Sequence, residues 1–378
     1  MSVKKPARLL SLDAFRGLTM AGMVIVNNPG DWGHVYPPLL HAAWHGCTPT
    51  DLIFPFFLFI VGVSITLSRG TMGDPWQIVK RALVIFGLGM VLALYPRWDV
   101  SVVRIPGVLQ RIAVCYLIAA FLFRWSAPAH GNDDARRVAH GRTLLLGAVG
   151  LTLGYWAVMM LVPPPGGVAG DLTPDGNLGA HLDRAVFGGH LWVQSKTWDP
   201  EGLLSTVPAL ATTLLGGVVG LWLGSRASGR RKALWLAGAG VAATLVGLAW
   251  SVVFPLNKAL WTSSYVWFTA GAAAVFLALC YALIDVKGWK AWSRPFVILG
   301  LNAIALFVLS GLMSKFLSFH KLTGPDGTQI SWLRYLYVTW FVPLAEPVNA
   351  SLLFALANLA VLFVVLWVMD RKGIYLKA

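Results

Sequence analysis

Long apolar segments alternate with shorter polar ones along nearly the whole chain. Each apolar segment is about 20 residues long, the length that an α-helix needs to cross the hydrocarbon core of a bilayer. Segments of this length favour helices over the shorter, alternating strands of a membrane β-barrel. We interpret ten of them as membrane spans, at residues 9–28, 51–68, 78–95, 106–124, 143–162, 203–224, 233–254, 263–284, 295–314 and 346–369. The pattern predicts an all-α, polytopic membrane protein with about ten transmembrane helices.

Composition supports this class. Hydrophobic residues make up 57% of the 378 residues and charged residues only 12%, a balance too apolar for a water-soluble domain. The first span lacks a small-residue cleavage site, so we expect a retained helix rather than a signal peptide. No linker is long enough to separate domains, and we predict a single membrane domain over residues 1–378.

The distribution of basic residues orients the chain. With a cytoplasmic N-terminus, 20 of the 30 Lys and Arg residues fall in the inner segments and eight in the outer loops. This excess follows the positive-inside rule, and an even number of spans puts both termini in the cytoplasm. The net charge of +14 is then mainly a topology signal. Basic segments such as 225–232 are expected to contact anionic membrane lipid, and no nucleic-acid partner is expected.

Ionisable side chains cluster where the second span begins, in the segment HAAWHGCTPTDLIFPFF. His41, Trp44 and His45 precede the span, and Asp51 lies in its first turn. Ionisable groups near bilayer depth are costly unless they are paired or face a wet cavity, which makes them candidates for function. Asp51 has the spacing of a capping box with Thr48. It can also orient an imidazole, as a carboxylate does in a catalytic triad, and both roles can hold together.

His41 is a candidate general base, because a neutral imidazole is the usual base near pH 7. Asn27, at the outer end of the first span, is a candidate for stabilising an oxyanion through its side-chain N–H. The alternative for Asn27 is a simple turn over residues 27–30. His41 and His45 are four residues apart, as in zinc-binding helices. The sequence offers no third ligand at an obvious spacing, so we expect no metal.

Further charged residues have two interpretations each. Asp13 and Arg16, one turn apart in the first span, form either a helix-start ion pair or an anchor for the phosphate of a cytoplasmic cofactor. Arg104 and Arg111 are predicted on one face of the fourth span, where Arg111 needs a partner or an anionic ligand. Polar residues of the outer loops either cap those loops or contact a substrate. These are Asp199, Glu201, Asn257 and Lys258.

Several motifs occur together in a characteristic order: LDAFRG (12–17), HAAWHGCTPTDLIFPFFLFIVG (41–62), IPGVLQRI (105–112), DPEGLLST (199–206), NKALWTSSYV (257–266) and GLNAI (300–304). In this combination the chain resembles the heparan-α-glucosaminide N-acetyltransferase family, in particular bacterial members associated with N-acetylglucosamine metabolism. The resemblance runs from about residue 8 to the C-terminus. The chain begins without the soluble N-terminal domain and extra first span of lysosomal members, so a smaller amino-sugar acceptor than a heparan chain is expected.

The resemblance implies transfer of acetyl from cytoplasmic acetyl-CoA to the amine of a glucosamine-type sugar at the periplasmic side of a bacterial inner membrane. His41 matches the family's essential histidine, with Asn27 and Asp51 matching its neighbours. His41 then acts either as a general base or as a covalent acetyl relay. We expect Arg16, with Asp13, and Arg111 to meet the CoA phosphates, and Trp44 with the outer-loop residues to meet the sugar.

A homodimer is expected from the family alone. The alternative function is an amino-sugar permease, since ten spans with polar sites also suit a transporter. Against the permease, the sequence shows neither an inverted repeat nor paired broken helices at mid-membrane.

Overall fold

The chain is built almost entirely of helices. Its structure is a computed structural model that describes residues 9–68, 74–126, 134–323 and 327–376. The helices are α1 (Leu10–Asn27), α2 (Ile53–Leu67), α3 (Pro75–Leu94), α4 (Val108–Ser126), α5 (Asp134–Leu161), α6 (Leu178–Phe187), α7 (Thr206–Leu223), α8 (Gly229–Trp250), α9 (Ser263–Tyr281), α10 (Arg294–Leu301), α11 (Ala303–Phe319), α12 (Trp332–Leu336) and α13 (Pro347–Arg371). Two short strands, β1 (Lys321–Thr323) and β2 (Gln329–Ser331), pair antiparallel after α11.

All ten predicted spans fall on helices. Within the described residues, eight helical segments are long and apolar enough to cross a membrane, including the helical turn Pro49–Leu52 that leads into α2. These are Pro49–Leu67, Pro75–Leu94, Val108–Ser126, Arg136–Leu161, Thr206–Leu223, Gly229–Trp250, Ser263–Val286 and Pro347–Arg371. Another predicted span, α1, carries Asp13 and Arg16 and is largely buried among other helices. The prediction of an all-α polytopic membrane protein is confirmed.

The span predicted at 295–314 differs from a single straight helix. It is broken at Asn302 into α10 and α11, which are bent by 71°. The Asn302 side chain at this break binds the C-terminal segment. Its Nδ2 donates to the Ile374 carbonyl (3.1 Å) and its Oδ1 accepts from the Leu376 N–H (2.9 Å). The hydrophobic pattern did not indicate this break, because Asn302 is a single polar residue with apolar residues on both sides.

The outer segments contain short elements that the hydrophobic pattern did not indicate. α6 lies inside the predicted loop 163–202 and begins after Asn177, whose side-chain oxygen accepts from the Ala180 N–H at 2.8 Å. Its ten residues are too few for a membrane span. The aromatic segment 332–344 consists of α12 and further short helical turns.

Close helix packing fixes the helix that carries the histidine-rich segment. At Gly62 of α2, a β-carbon would lie only 1.9 Å from the Thr213 carbonyl oxygen of α7. At Gly216 of α7, it would lie 2.1 Å from the Phe59 carbonyl oxygen. Small residues at such contacts allow membrane helices to approach backbone to backbone. α2 is therefore held against α7, and its N-terminal turn is a firm base for a site.

Candidate active site

Asp51 and His41 form the centre of the site. Asp51 is 1% exposed, and its two oxygens have different partners. Oδ2 accepts from the backbone N–H groups of Thr48 and Ala42, both at 3.0 Å, so the predicted capping box is present. Oδ1 lies 2.7 Å from Nδ1 of His41. The arrangement fits both interpretations of Asp51, as a helix cap and as a partner of the imidazole.

This geometry determines which ring nitrogen of His41 can act as a base. A carboxylate only accepts hydrogen bonds, so Nδ1 carries the proton that is donated to Asp51. Nε2 of the neutral ring is left with its lone pair available. The His41 side chain is 50% exposed, whereas its carboxylate partner is buried. The pair therefore presents a basic nitrogen to an open space.

That open space is an outer cavity of about 500 Å³. Six of the predicted site residues line it: Asn27, His41, Trp44, Asp51, Glu201 and Lys258. They come from α1, the turn before α2 and two outer loops, so residues far apart in sequence meet here. Lys258 also lies close to the base, with Nζ 3.1 Å from Nδ1 and 3.3 Å from Nε2 of His41, and 3.6 Å from Oδ1 of Asp51.

The two neighbouring asparagines at the end of α1 have different surroundings. Asn27 is exposed and lines the outer cavity. Asn28 is buried, and its Nδ2 donates to the Val24 carbonyl at 2.7 Å and to Ser310 Oγ at 3.2 Å. Asn28 therefore binds α11, and Asn27 is the one whose amide can meet a ligand.

Three indole rings form an aromatic wall of the cavity. The ring centres of Trp44 and Trp198 are 5.0 Å apart, and those of Trp192 and Trp198 are 5.6 Å apart. Trp44 is fixed by a hydrogen bond of 2.8 Å from its Nε1 to the Leu172 carbonyl. Trp192 and Trp198 were missed from the sequence. Their position around the DPEG motif is the signal that could have found them.

An ion-pair network supports this wall. Arg104 donates through Nε to Asp199 Oδ2 at 2.8 Å, and its NH2 contacts Glu201. Burial disfavours the guanidinium charge, but the two carboxylates outweigh it and hold the pKa of Arg104 above its usual value. Asp199 is buried and its side chain lies behind the cavity, whereas Arg104 and Glu201 line it. The prediction that Arg104 and Arg111 share a helix face is wrong, because α4 begins only at Val108.

Asn257 does not line the cavity but shapes the turn that carries Lys258. Asn257 is fully buried, and its Oδ1 accepts from the Leu260 N–H at 2.8 Å. Its Nδ2 lies 3.4 Å from Nδ1 of His45. Burial lowers the pKa of His45, so a neutral ring is favoured at this contact. The contact between Asn257 and His45 thus connects the loop between α8 and α9 with the loop before α2.

A second, inner cavity of about 270 Å³ lies further along α1 and α2. Arg16 lines it, donating to Ser64 Oγ at 2.9 Å and to Asp13 Oδ1 at 3.0 Å. Arg81 of α3 also lines it and was not predicted, because its role depends on a neighbouring helix. Phe57 and Ile112 line both cavities and separate them. The two cavities are therefore consecutive along the bundle.

Arg111 lies elsewhere. Its guanidinium is buried one turn inside α4, where NH2 donates to the Gly202 carbonyl at 3.1 Å and to Ser205 Oγ. Its Cζ is 5.2 Å from the ring centre of Trp261. Among the described residues, the linings of the outer and inner cavities do not include it. The structure thus places Arg111 beside the outer loop 199–205, and its contact with a CoA phosphate stays a prediction.

In the part of the chain that the structure describes, no three His, Cys, Asp or Glu side chains are grouped so that they could hold a metal ion.

Comparison with known proteins shows which family the chain is similar to. A family model described as heparan-alpha-glucosaminide N-acetyltransferase, catalytic, matches residues 8–131, the segment that contains Arg16, Asn27, His41 and Asp51. The human heparan-alpha-glucosaminide N-acetyltransferase is 31% identical over 369 residues, which cover 83% of this chain and 54% of the relative. The mouse protein of the same name is 30% identical over 364 residues, 82% of this chain and 54% of its own. The chain thus spans about half the length of these curated relatives. These matches confirm the resemblance that the motifs indicate, to the heparan-alpha-glucosaminide N-acetyltransferase family.

Proposed function

We propose that this chain is a transmembrane N-acetyltransferase that transfers the acetyl group of acetyl-CoA to the amine of a glucosamine-type sugar. One observation carries the proposal. The His41–Asp51 pair faces an outer cavity that shares Phe57 and Ile112 with an inner cavity lined by Arg16 and Arg81. A base and a cationic pocket are thus joined along the bundle, as a two-sided transfer requires.

In the proposed reaction His41 acts as the base. An amine attacks a thioester only when it has a lone pair, and Nε2 of His41 takes its proton as attack proceeds. Asp51 holds the ring in this tautomer and stabilises the imidazolium that forms. The exposed amide of Asn27, on the same cavity wall, donates a hydrogen bond to the oxyanion of the tetrahedral intermediate.

A covalent route uses the same residues. In it Nε2 of His41 attacks the thioester first, and the sugar amine then attacks the acetyl-imidazole. The hydrogen bond from Nδ1 to Asp51 leaves Nε2 as the nucleophilic atom in either route. A rapid-quench experiment that traps acetylated His41 before the sugar is added would separate this relay from direct transfer.

The inner cavity suits the donor. CoA carries several phosphates, and arginine is the residue of choice for phosphate contacts. Arg16 and Arg81 line this cavity together with apolar residues of α2 and α4. We place the nucleotide there, with the pantetheine arm passing between Phe57 and Ile112 so that the thioester meets His41.

The outer cavity suits the acceptor. Indole faces such as those of Trp192 and Trp198 offer flat apolar surfaces to the C–H face of a sugar ring. Glu201 and Arg104 at the same wall supply a hydrogen-bond acceptor and donors for hydroxyl groups. In the same proposal the protein lies in the inner membrane of a bacterium, with its basic segments against anionic lipid. A homodimer remains a prediction from the family.

The alternative function, an amino-sugar permease, has one observation in its favour. The break between α10 and α11 resembles the discontinuous helices of many transporters. In this chain, however, the Asn302 side chain at the break binds the C-terminal segment at Ile374 and Leu376. The break is thus accounted for by an internal contact, and the acetyltransferase remains the better-supported function.

A direct assay separates the two functions. Purified protein in detergent is given acetyl-CoA and glucosamine, and free CoA and N-acetylated sugar are measured together. We expect equal amounts of both, and a loss of both in the His41→Ala protein with an unchanged thermal transition. Absence of turnover, combined with glucosamine uptake into proteoliposomes that lack acetyl-CoA, would instead establish the permease.

A further inference from the structure

Lys258 places a primary amine where the proposed reaction needs one. Its Nζ lies 3.3 Å from Nε2 of His41, within reach of the base, and the Lys258 side chain lines the outer cavity. An acceptor sugar must bring its own amine to the same nitrogen if His41 is to remove a proton from it. The lysine therefore occupies the position of the acceptor amine.

The turn around Lys258 holds this amine in place. Asn257 donates its N–H to Thr262 Oγ1 at 3.1 Å and accepts from the Leu260 N–H at 2.8 Å. Thr262 in turn donates to the Pro255 carbonyl at 2.8 Å. These buried bonds close the loop between α8 and α9, so the base of the Lys258 side chain is fixed beside the cavity.

Burial also makes this amine more reactive than a surface lysine. It lowers the pKa of Lys258, although the nearby Asp51 carboxylate opposes that shift. At a given pH, Lys258 is then neutral in a larger fraction of the molecules than a surface lysine would be. Only the neutral amine is a nucleophile.

We propose that Lys258 is a self-acetylation site, which receives the acetyl group of the donor when no amino sugar occupies the outer cavity. The proposal rests on the proposed function, because it takes the same acetyl thioester as co-reactant. It extends that function to a covalent modification of the chain itself.

The step is a complete acyl transfer. Nζ of Lys258 attacks the acetyl carbonyl carbon, forming a C–N bond, and the C–S bond to CoA breaks. The proton lost from Nζ passes to Nε2 of His41 and then to the departing thiolate, which leaves as free CoA. If the acetyl group is first carried on Nε2, the same amine attacks it there and His41 is regenerated.

The product blocks the site. Acetyl-lysine is an amide, which carries no charge and does not pass its acetyl group to a sugar amine. It removes a cation 3.6 Å from Asp51 and adds an acetyl group beside His41. Self-acetylation therefore inactivates the enzyme when donor is present without acceptor, and an amino sugar protects it by occupying the same position.

The test uses the purified full chain with acetyl-CoA labelled in its acetyl group, with and without glucosamine. Acetylation of each lysine is quantified by peptide mass spectrometry. Lys196 and Lys321, exposed in outer segments, report the non-enzymatic background. We expect Lys258 to be acetylated about a hundredfold or more faster than these two, and to fall to background in His41→Ala, as loss of a general base implies. Glucosamine should slow the labelling.

A second variant keeps the test independent of how His41→Ala folds. Lys258→Arg retains a positive charge but offers no primary amine. After preincubation with acetyl-CoA alone, the unmodified protein should lose transfer activity with time. The Lys258→Arg protein should keep its own starting activity, whatever that is.

If Lys258 is acetylated no faster than Lys196 and Lys321 in a preparation that acetylates glucosamine, the inference is overturned and the proposed function stands. If neither the sugar nor Lys258 is acetylated, the proposed function fails and the inference with it.

Discussion

At the scale of single residues, Asp51 combines two tasks by dividing them between its oxygens. Oδ2 satisfies backbone donors at the start of the second span, and Oδ1 orients His41. Both contacts join residues within about ten positions of each other, which is why the sequence could predict the pair. The local spacing of a capping box and a nearby histidine was sufficient information.

His41 is expected to be essential for turnover but dispensable for folding. Its side chain is half exposed, so its removal leaves no buried cavity. We expect His41→Ala to lower the rate of acetyl transfer by a factor of about 10² to 10⁴, the range of general-base catalysis. Binding of CoA, measured by calorimetry on the same preparation, should be unchanged. Turnover at the original rate would remove His41 from the mechanism.

Asp51→Asn should reduce stability as well as rate. An amide has one oxygen, so it cannot accept from both the backbone donors and the His41 ring. We expect a loss of about 1–3 kcal/mol of unfolding free energy from the unsatisfied group, with a fall in rate on the order of a hundredfold or more.

Thr48→Ala is the matched control for that variant. It removes a hydroxyl that bonds the Leu40 carbonyl at 2.7 Å and Asp51 Oδ2 at 3.1 Å, while the His41 contact remains. Its thermal transition should fall, with much of the rate retained. If Asp51→Asn lost only stability and kept its rate, the orienting role of Asp51 would be excluded.

At the scale of elements, the outer loops were harder to predict than the spans. Long helices follow from hydrophobic length alone, which is why all ten predicted spans fall on helices. α6 depends on a cap at Asn177 and on contacts with the DPEG loop, which a hydropathy pattern does not contain. Tertiary contacts with segments distant in sequence likewise bring Trp192 and Trp198 into the lining of the outer cavity and Arg81 into that of the inner cavity.

Asp183 of α6 fixes the DPEG loop and gives it a pH dependence. Its Oδ1 accepts from the Leu203 N–H at 2.8 Å and its Oδ2 from the Asp199 N–H at 3.3 Å. Burial raises the pKa of Asp183 from 3.8 to about 6, against the effect of these backbone donors. Because the folded state holds this proton more tightly than the unfolded chain does, the associated stabilisation is complete below pH 3.8 and is lost as the pH rises through 6.

The Asp183→Asn variant tests this dependence, since an amide does not titrate. We expect the Tm of the unmodified protein in detergent to fall more between pH 4 and pH 7 than that of Asp183→Asn. Differential scanning fluorimetry across that range measures the two slopes. Parallel slopes would mean that Asp183 is ionised in the folded protein throughout.

At the scale of the whole molecule, the two cavities lie next to each other along the bundle. The cationic inner cavity and the outer cavity with His41 meet only at Phe57 and Ile112 within their described linings. The charge bias of the loops predicted which end is cytoplasmic, and the motifs predicted His41 at the other end. The adjacency of the two cavities could not be predicted, because it depends on the relative positions of α2 and α4.

The space between Phe57 and Ile112 can be narrowed by a substitution, which tests whether the donor passes between these two residues. Phe57→Trp enlarges a side chain between the cavities, so we expect slower transfer from acetyl-CoA, by about tenfold or more if the near-attack geometry of the thioester is lost. A truncated donor, S-acetylcysteamine, can reach His41 from the outer cavity and should be used at an unchanged rate. Phe56→Trp is the matched control, because Phe56 lines an apolar groove on the outside of the bundle with residues of α8 and α9. Equal slowing with both donors would mean that Phe57 acts on the site as a whole, and the proposed passage between Phe57 and Ile112 would have to be abandoned.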